Sequence, residues 1–420
     1  LDGLLSKAAA PSHDAYQALR LRDFRLLITG NLFVTMGNQM LALAIGYELY
    51  ERTSSALDLG LVGLVQVLPI ISLSLFTGQL ADRYNRKRIV FLSQGALVVA
   101  SLVLTALAYW HGSLISIYGC LLAIGIGQAF NSPAARTLPV EIVPERAFEN
   151  AVTWTSSTQQ LAAVAGPALG GFIIALNGGT TLVYLLNALA AATFIVLLSF
   201  VRGKANGPNA ARRRPPATLR SLGEGIGFLR RSPVVLAVIT LDLFAVLLGG
   251  ATTLLPIYAR DILAVGPTGL GWLRAAPSLG AVCMALYLAH RPPLRRAGRA
   301  FLLAVATFGV ATIVFGLSRW FWLSLAMLFL LGSMDNISVV VRSTLMLVRT
   351  PDEMRGRVQA INGIFISTSN QLGGFESGVT AQLFGPVASV VGGGIGTILV
   401  VLVGAYLWPE LRKLGAMREG

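Results

Sequence analysis

Polar chemistry is scarce in this chain. Three histidines and two cysteines make up its whole stock of imidazole and thiol ligands. Cys120 and Cys283 each stand inside an apolar run with no second cysteine or histidine at ligand spacing, so both are read as packing residues. That excludes a disulfide-stapled scaffold and a cysteine–histidine metal centre. His13, His111 and His290 lie at or outside the ends of apolar runs, which leaves nothing for a histidine-centred catalytic cluster and argues against an enzyme. No G-x-x-x-x-G-K-[ST] sequence occurs, which removes a nucleotide-driven pump of the P-loop kind.

Charge is scarce too. Charged residues are 12% of the 420 and hydrophobic ones 55%, with a mean hydropathy of +0.70, whereas soluble domains carry about 25% charge. No polar stretch is long enough for a sizeable water-soluble domain. Residues 1–23 are mixed and polar, without the basic, apolar and small-residue regions of a secretory signal, so the first apolar run is read as a retained span.

What is present is a series of apolar runs, each long enough to cross a hydrocarbon layer of about 30 Å as a helix. Spans are expected near 24–50, 57–81, 88–110, 113–137, 149–176, 179–201, 233–260, 268–290, 299–318, 320–348, 356–384 and 386–408. An even number puts both termini on one side. With the termini in the cytoplasm, the opposite loops carry only Arg52, Arg260 and Arg319, and Arg274 falls inside a span. All other Lys and Arg go to the terminus side, as the positive-inside rule requires. The net charge of +14 is then explained by loops held against an anionic leaflet, with no nucleic acid as partner. Trp110, Trp320, Trp322 and Trp408 fall at span ends as interface anchors.

The one long loop, 202–232, is basic and rich in Gly, Pro and Asn, and its end, GEGIGFLRR, is read as a surface helix. The organisation expected is a cytoplasmic segment 1–23, a six-helix half 24–201, the linker, a second six-helix half 233–408 and a cytoplasmic tail 409–420. A repeat supports it. A shift of 208 sets Gly63 on Gly271, Pro69 on Pro277, Arg83 on Arg291, Lys87 on Arg295 and Arg88 on Arg296. A shift of 207 sets Pro144 on Pro351, Gly166 on Gly373 and Gly171 on Gly378. Two parallel halves around a site near the membrane midplane suit a rocking transporter.

The turn after the second span reads GQLADRYNRKR, residues 78–88. Here Gly78 is expected to permit close helix approach, and Arg86, Lys87 and Arg88 to anchor the turn. It resembles the G-x-L-A-D-R-x-G-R-K signature of the major facilitator superfamily, matched at Gly78, Leu80, Ala81, Asp82, Arg83, Arg86 and Lys87. Asn85 replaces the last glycine and is the residue most tolerant of left-handed backbone after Gly. The resemblance implies an all-α membrane protein of twelve helices in two pseudo-repeat halves. It also implies a gating role for Gly78, Asp82, Arg83 and Arg86, with Asp82 latched to Arg136 and to the start of span 11. Thr350, Pro351 and Glu353 are expected to cap that span.

A second stretch, AGPALGG, is similar to the span 5 signature of facilitator exporters, carried here by Gly166, Pro167, Gly170 and Gly171. The passage FNSPAARTLPVEIVPERAFENAV before it resembles the enterobactin-exporter-like branch. Span 4 has no Arg before Arg136, so the usual proton relay of proton-coupled members is absent. The resemblance implies export of an amphipathic molecule such as a siderophore or drug from a bacterial inner membrane, and proton coupling, which is expected here, has to rest on other groups.

Charged groups inside spans are functional candidates by default. Asp242, Asp335 and Glu376 are candidates for carrying a proton as access alternates. Either aspartate could instead be structural, paired with Arg274 or Arg342. Glu48, near a span end, is read as a surface residue. Asn38, Gln39, Gln66, Gln128, Asn131, Gln159, Gln160 and Arg274 are candidates for a substrate cavity, or for joining helices. The partners expected are a small-molecule substrate, protons and membrane lipid, for a monomer without cofactor or metal. A lipid or lysolipid flippase, an importer of the same fold and a non-transporting receptor or scaffold stay open.

Overall fold

The computed structural model describes residues 14–202, 219–292 and 296–413. Residues 1–13, most of the basic linker, Arg295 and the tail from 414 lie outside the described residues, as do the side chains of Asp82 and Arg83. The described chain is helical with no strand. In hydrocarbon every backbone N–H and C=O must find its partner within the chain, and a helix does this locally.

The first six spans are α1 (Arg22–Thr53), α2 (Ala56–Arg83), α3 (Arg86–Tyr109), α4 (Leu114–Glu141), α5 (Phe148–Asn177) and α6 (Thr181–Phe200). A surface helix α7 (Leu219–Arg231) follows, then α8 (Pro233–Leu248), α9 (Gly266–Ala289), α10 (Ala297–Leu317), α11 (Phe321–Arg349), α12 (Asp352–Phe384), α13 (Pro386–Leu407) and the short α14 (Pro409–Lys413). Eleven of these segments are long and apolar enough to cross a membrane. The twelfth, α12, is long enough but dilutes its apolar residues with Asn362, Ser369, Asn370, Gln371 and Glu376.

Two local readings change. The seventh span is not one rod: Gly249 and Gly250 break it, and Ala251–Leu254, Leu255–Ile257 and Tyr258–Ile262 continue it as 3-10, α and π turns. The expected cap of α12 does not form. The helix starts at Asp352 with Pro351 as N-cap and no side-chain bond, while the Thr350 hydroxyl is buried without a partner.

In the first half α1 packs on α5 and α6, α3 on α4 and α6, and α2 on α4. Every pairing recurs in the second half, where α8 packs on α12 and α13, α10 on α11 and α13, and α9 on α11. Between halves the broad contacts are α2 with α12 and α5 with α9, which the same pseudo-two-fold exchanges. Each rests on a pair of glycines. A Cβ on Gly271 would stand 3.2 Å from the Cα of Gly171, and one on Gly60 would stand 3.1 Å from the Cα of Gly378. Both crossings lie toward the helix ends opposite the chain termini, called here the far side.

Within the second half, α9 and α11 cross so closely that a Cβ on Gly280 would collide with the carbonyl of Phe329. At Gly78 a Cβ would meet nothing within 4 Å, so close packing is not what that glycine provides here. Gly280→Val is therefore expected to cost about 1–3 kcal/mol through overpacking. It should lower the thermal midpoint of the detergent-solubilised protein, whereas Gly78→Ala should leave it unchanged.

Candidate functional site

Since the halves touch toward the far side, space opens between and within them nearer the termini. One cavity of about 440 Å³ lies in the first half, walled by α1, α4 and α5 with contributions from α3 and α6. A second, of about 420 Å³, lies in the second half and takes in Gln160 of α5. Both fall in the size range of small-molecule sites.

The polar wall of the first cavity follows from helical spacing. On α1, Asn31, Thr35 and Asn38 recur at i, i+4 and i+7, and on α5 Thr155, Ser156 and Gln159 stand at i, i+1 and i+4 within one stripe. From α4 come Gln128, Asn131 and Arg136. The side-chain oxygens of Asn38 and Asn131 are buried and take no hydrogen bond. Of the expected residues, Asn38, Gln128, Asn131, Gln159 and Arg136 thus converge here. Asn31, Thr155 and Ser156 were not expected, although their spacing was the available signal.

The second cavity holds Asp242, Asp335 and Arg342. Asp242 is committed: it forms a buried ion pair with Arg342 and accepts a hydrogen bond from Ser338 Oγ at 2.8 Å. Asp335, one turn before Ser338 on α11, faces the cavity with no ion pair or hydrogen bond among the described residues. Asn336 and Asn370 stand beside it on the wall.

Several candidates lie outside both walls. Arg274 donates to the Thr252 carbonyl at 3.2 Å, in the broken part of the seventh span. Glu376 has only a 3.5 Å contact from Ser377 Oγ. The backbone of Gln66 abuts Gly125, and Gln39 lies over Gly166. The α5 glycines have a shared geometry: a Cβ at Gly166 would stand 2.6 Å from Gln39 Cβ, one at Gly170 3.2 Å from Met40 Cα, and one at Gly171 against the Pro267 carbonyl. Gly166, Pro167, Gly170 and Gly171 therefore seat α5 against α1 of its own half and against α9 of the other.

The turn between α2 and α3 differs in detail from its expected form. Asn85 has φ −63° and ψ 113°, an extended N-cap whose side chain accepts from the Arg88 N–H at 3.3 Å, and not a left-handed residue. Arg86 forms an ion pair with Glu141 at the end of α4, and Lys87 donates to the Val201 carbonyl at 2.7 Å. Arg136, the expected latch partner, makes no ion pair or hydrogen bond among the described residues and turns to the first cavity. Asp82 itself lies outside the described side chains.

On the far side, Glu48 is buried at 6% exposure, which corrects its surface reading. The reason is that α1 runs on to Thr53, so Glu48 pairs with Arg52 one turn on in its own helix and faces the start of α6, where it accepts from Thr180 at 2.7 Å and Tyr184 at 2.6 Å. Three residues from the end of α1, Tyr50 joins the halves. Its hydroxyl donates to Asp261, its carbonyl accepts from Arg260 at 3.3 Å, and Arg260 lies 3.6 Å from Glu51. Lone charges in short loops gave no hint of this tie. If it holds the far side shut, Tyr50→Phe with Asp261→Asn should expose that side. With both native cysteines replaced by Ser, a Thr253→Cys reporter should then react several-fold faster with an impermeant maleimide applied from the far side.

The comparisons agree with this architecture. A model of the family described as transmembrane secretion effector matches residues 13–417. The enterobactin exporters EntS of Shigella boydii serotype 18 and of Escherichia coli O157:H7 are each 29% identical over 416 residues, covering 98% of this chain and 95% of theirs. Among solved structures, a peptide transporter POT superposes with a TM-score of 0.73 at 14% identity over 93% of this chain and 95% of its own. The nucleoside transporter NupG gives 0.70 at 10% over 92% and 99%. A bacterial homologue of the human lysosomal transporter Spinster, inward-facing and unoccupied, gives 0.67 at 14% over 93% and 96%. These structures share the fold.

Proposed function

The chain belongs to the transmembrane secretion effector family of major facilitator transporters, and from that premise we propose that it exports an amphipathic small molecule in exchange for protons. The observation that carries this reading is a pair of cavities sealed toward one end by glycine crossings, with an unpaired carboxyl, Asp335, on one wall. The distribution of Lys and Arg supports termini in the cytoplasm of a bacterial cell, so the described form is inward-facing, ready to load.

Export then proceeds by rocking of the halves. Substrate enters between them from the cytoplasm and meets the amides of the first cavity, while apolar residues such as Leu27, Leu138 and Phe194 take its greasy part. Closure on the terminus side brings the Arg86–Glu141 region toward the inner end of α12, and the Tyr50–Asp261 tie gives way on the far side. Proton uptake at Asp335 from outside resets the cycle, and its release inside makes the next one possible. Asp242 has the structural part, since its charge is neutralised by Arg342. The EntS relatives support a siderophore-like cargo, and the proposal extends to drug-like molecules and to a monomer working in the inner membrane.

The two aspartates should separate in proteoliposomes. Asp335→Asn should fold normally and bind cargo but lose accumulation driven by a proton gradient. Asp242→Asn should lose stability first, since breaking one side of a buried pair costs about 3–5 kcal/mol. Flux of a dye and a catecholate siderophore, read beside thermal midpoints, checks both. Full coupling in Asp335→Asn, or no flux in wild type, sinks the corresponding claim.

A further inference from the structure

The two cavities differ in charge. The second contains a neutralised pair, Asp242 with Arg342, plus the unpaired Asp335, and so leaves one acidic group. The first has one charged side chain on its wall, Arg136, and no carboxylate among its described lining. The nearest acid along α4, Glu141, is already held by Arg86. Arg136 is exposed, with no ion pair or hydrogen bond among the described residues.

A second observation is independent of that charge. Asn38 and Asn131, on two different helices, each bring a buried side-chain oxygen with no partner to the same wall. Buried polar atoms in folded proteins are nearly always satisfied, and leaving one unmade is costly, so these two carboxamides, closed off from the cavity as they stand, gain bonds by turning toward an occupant. A guanidinium in a cleft with low-dielectric walls attracts oxyanions and matches their two oxygens with its fork of donors.

We propose that the first cavity is an oxyanion subsite that selects cargo carrying a carboxylate or phenolate. Arg136 takes the anionic oxygens, and the carboxamides of Asn38 and Asn131 take neighbouring hydroxyl or N–H donors. Leu27, Leu138 and Phe194 cover the adjoining apolar part. Arg136 thereby acts as a specificity residue in this inward-facing form. The assignment rests on the export reading and sharpens its substrate class.

Two xanthene dyes of similar size and opposite charge, fluorescein and rhodamine 123, test it by fluorescence anisotropy on the purified full chain. Wild type should bind the anion more tightly. Arg136→Gln should weaken fluorescein binding about tenfold or more, the loss expected for one hydrogen bond to a charged group. It should leave rhodamine 123 binding intact, which doubles as the folding control, and Arg136→Lys should fall between. Equal loss for both dyes, unchanged fluorescein binding in Arg136→Gln, or no fluorescein binding to wild type would overturn the subsite. The export reading fails separately. Charge-selective binding without gradient-driven flux refutes export and keeps the subsite, while flux without charge preference does the reverse.

Discussion

The close approach of α5 to α9 and of α2 to α12, backbone to backbone at Gly171–Gly271 and Gly60–Gly378, is the constraint on which the rest of this structure depends. Lipid tails are as apolar as the side chains they replace, so helices in a bilayer gain little from burying greasy surface against each other. What holds them is van der Waals contact, and small residues let that contact reach the backbone. Because these crossings sit toward one end, the halves diverge toward the other, and the cavities are the space that divergence leaves. The α5 stretch from Gly166 to Gly171 is central because it touches α1 and α9 at once, so a shift of α5 is felt in both halves.

Electrostatics refine that arrangement. A charge taken from water is expensive unless paired. The chain answers this at two buried places, with Glu48 among Arg52, Thr180 and Tyr184, and with Asp242 against Arg342 and Ser338. These clusters bind helices within one half. The Tyr50–Asp261–Arg260 contact is of another kind, since it spans the halves and is partly wet, which suits a link made and broken as the halves rock. Asp335 and Arg136 stand apart from both patterns, on opposite cavities, which is why they carry the proposals on proton and cargo.

Much of the fold was legible in the residues. The span limits lie within a few positions of the helices, because apolar length and the positions of charge are set by membrane thickness and hydration. The 207 and 208 shifts anticipated a pairing pattern that recurs between halves. The site was legible only in part. Polar residues in spans were visible, but their type could not tell Asn131, on a cavity wall, from Gln39, folded over a glycine. Glu48 was misjudged because its place near the expected end of the first span was read as the surface whereas α1 runs on to Thr53, and Asn85 because a cap and a left-handed turn favour the same residue type.

The sequence by itself determined a helical membrane protein with two related halves, because hydropathy, glycine spacing and basic loops act locally and add up along the chain. Tertiary structure alone decided which acid is spoken for and which is not. Asp242 and Asp335 look alike as letters, and so do Arg136 and Arg342. Their difference arises because an ion pair depends on residues about a hundred positions apart meeting across a helix crossing, a distance no local pattern encodes.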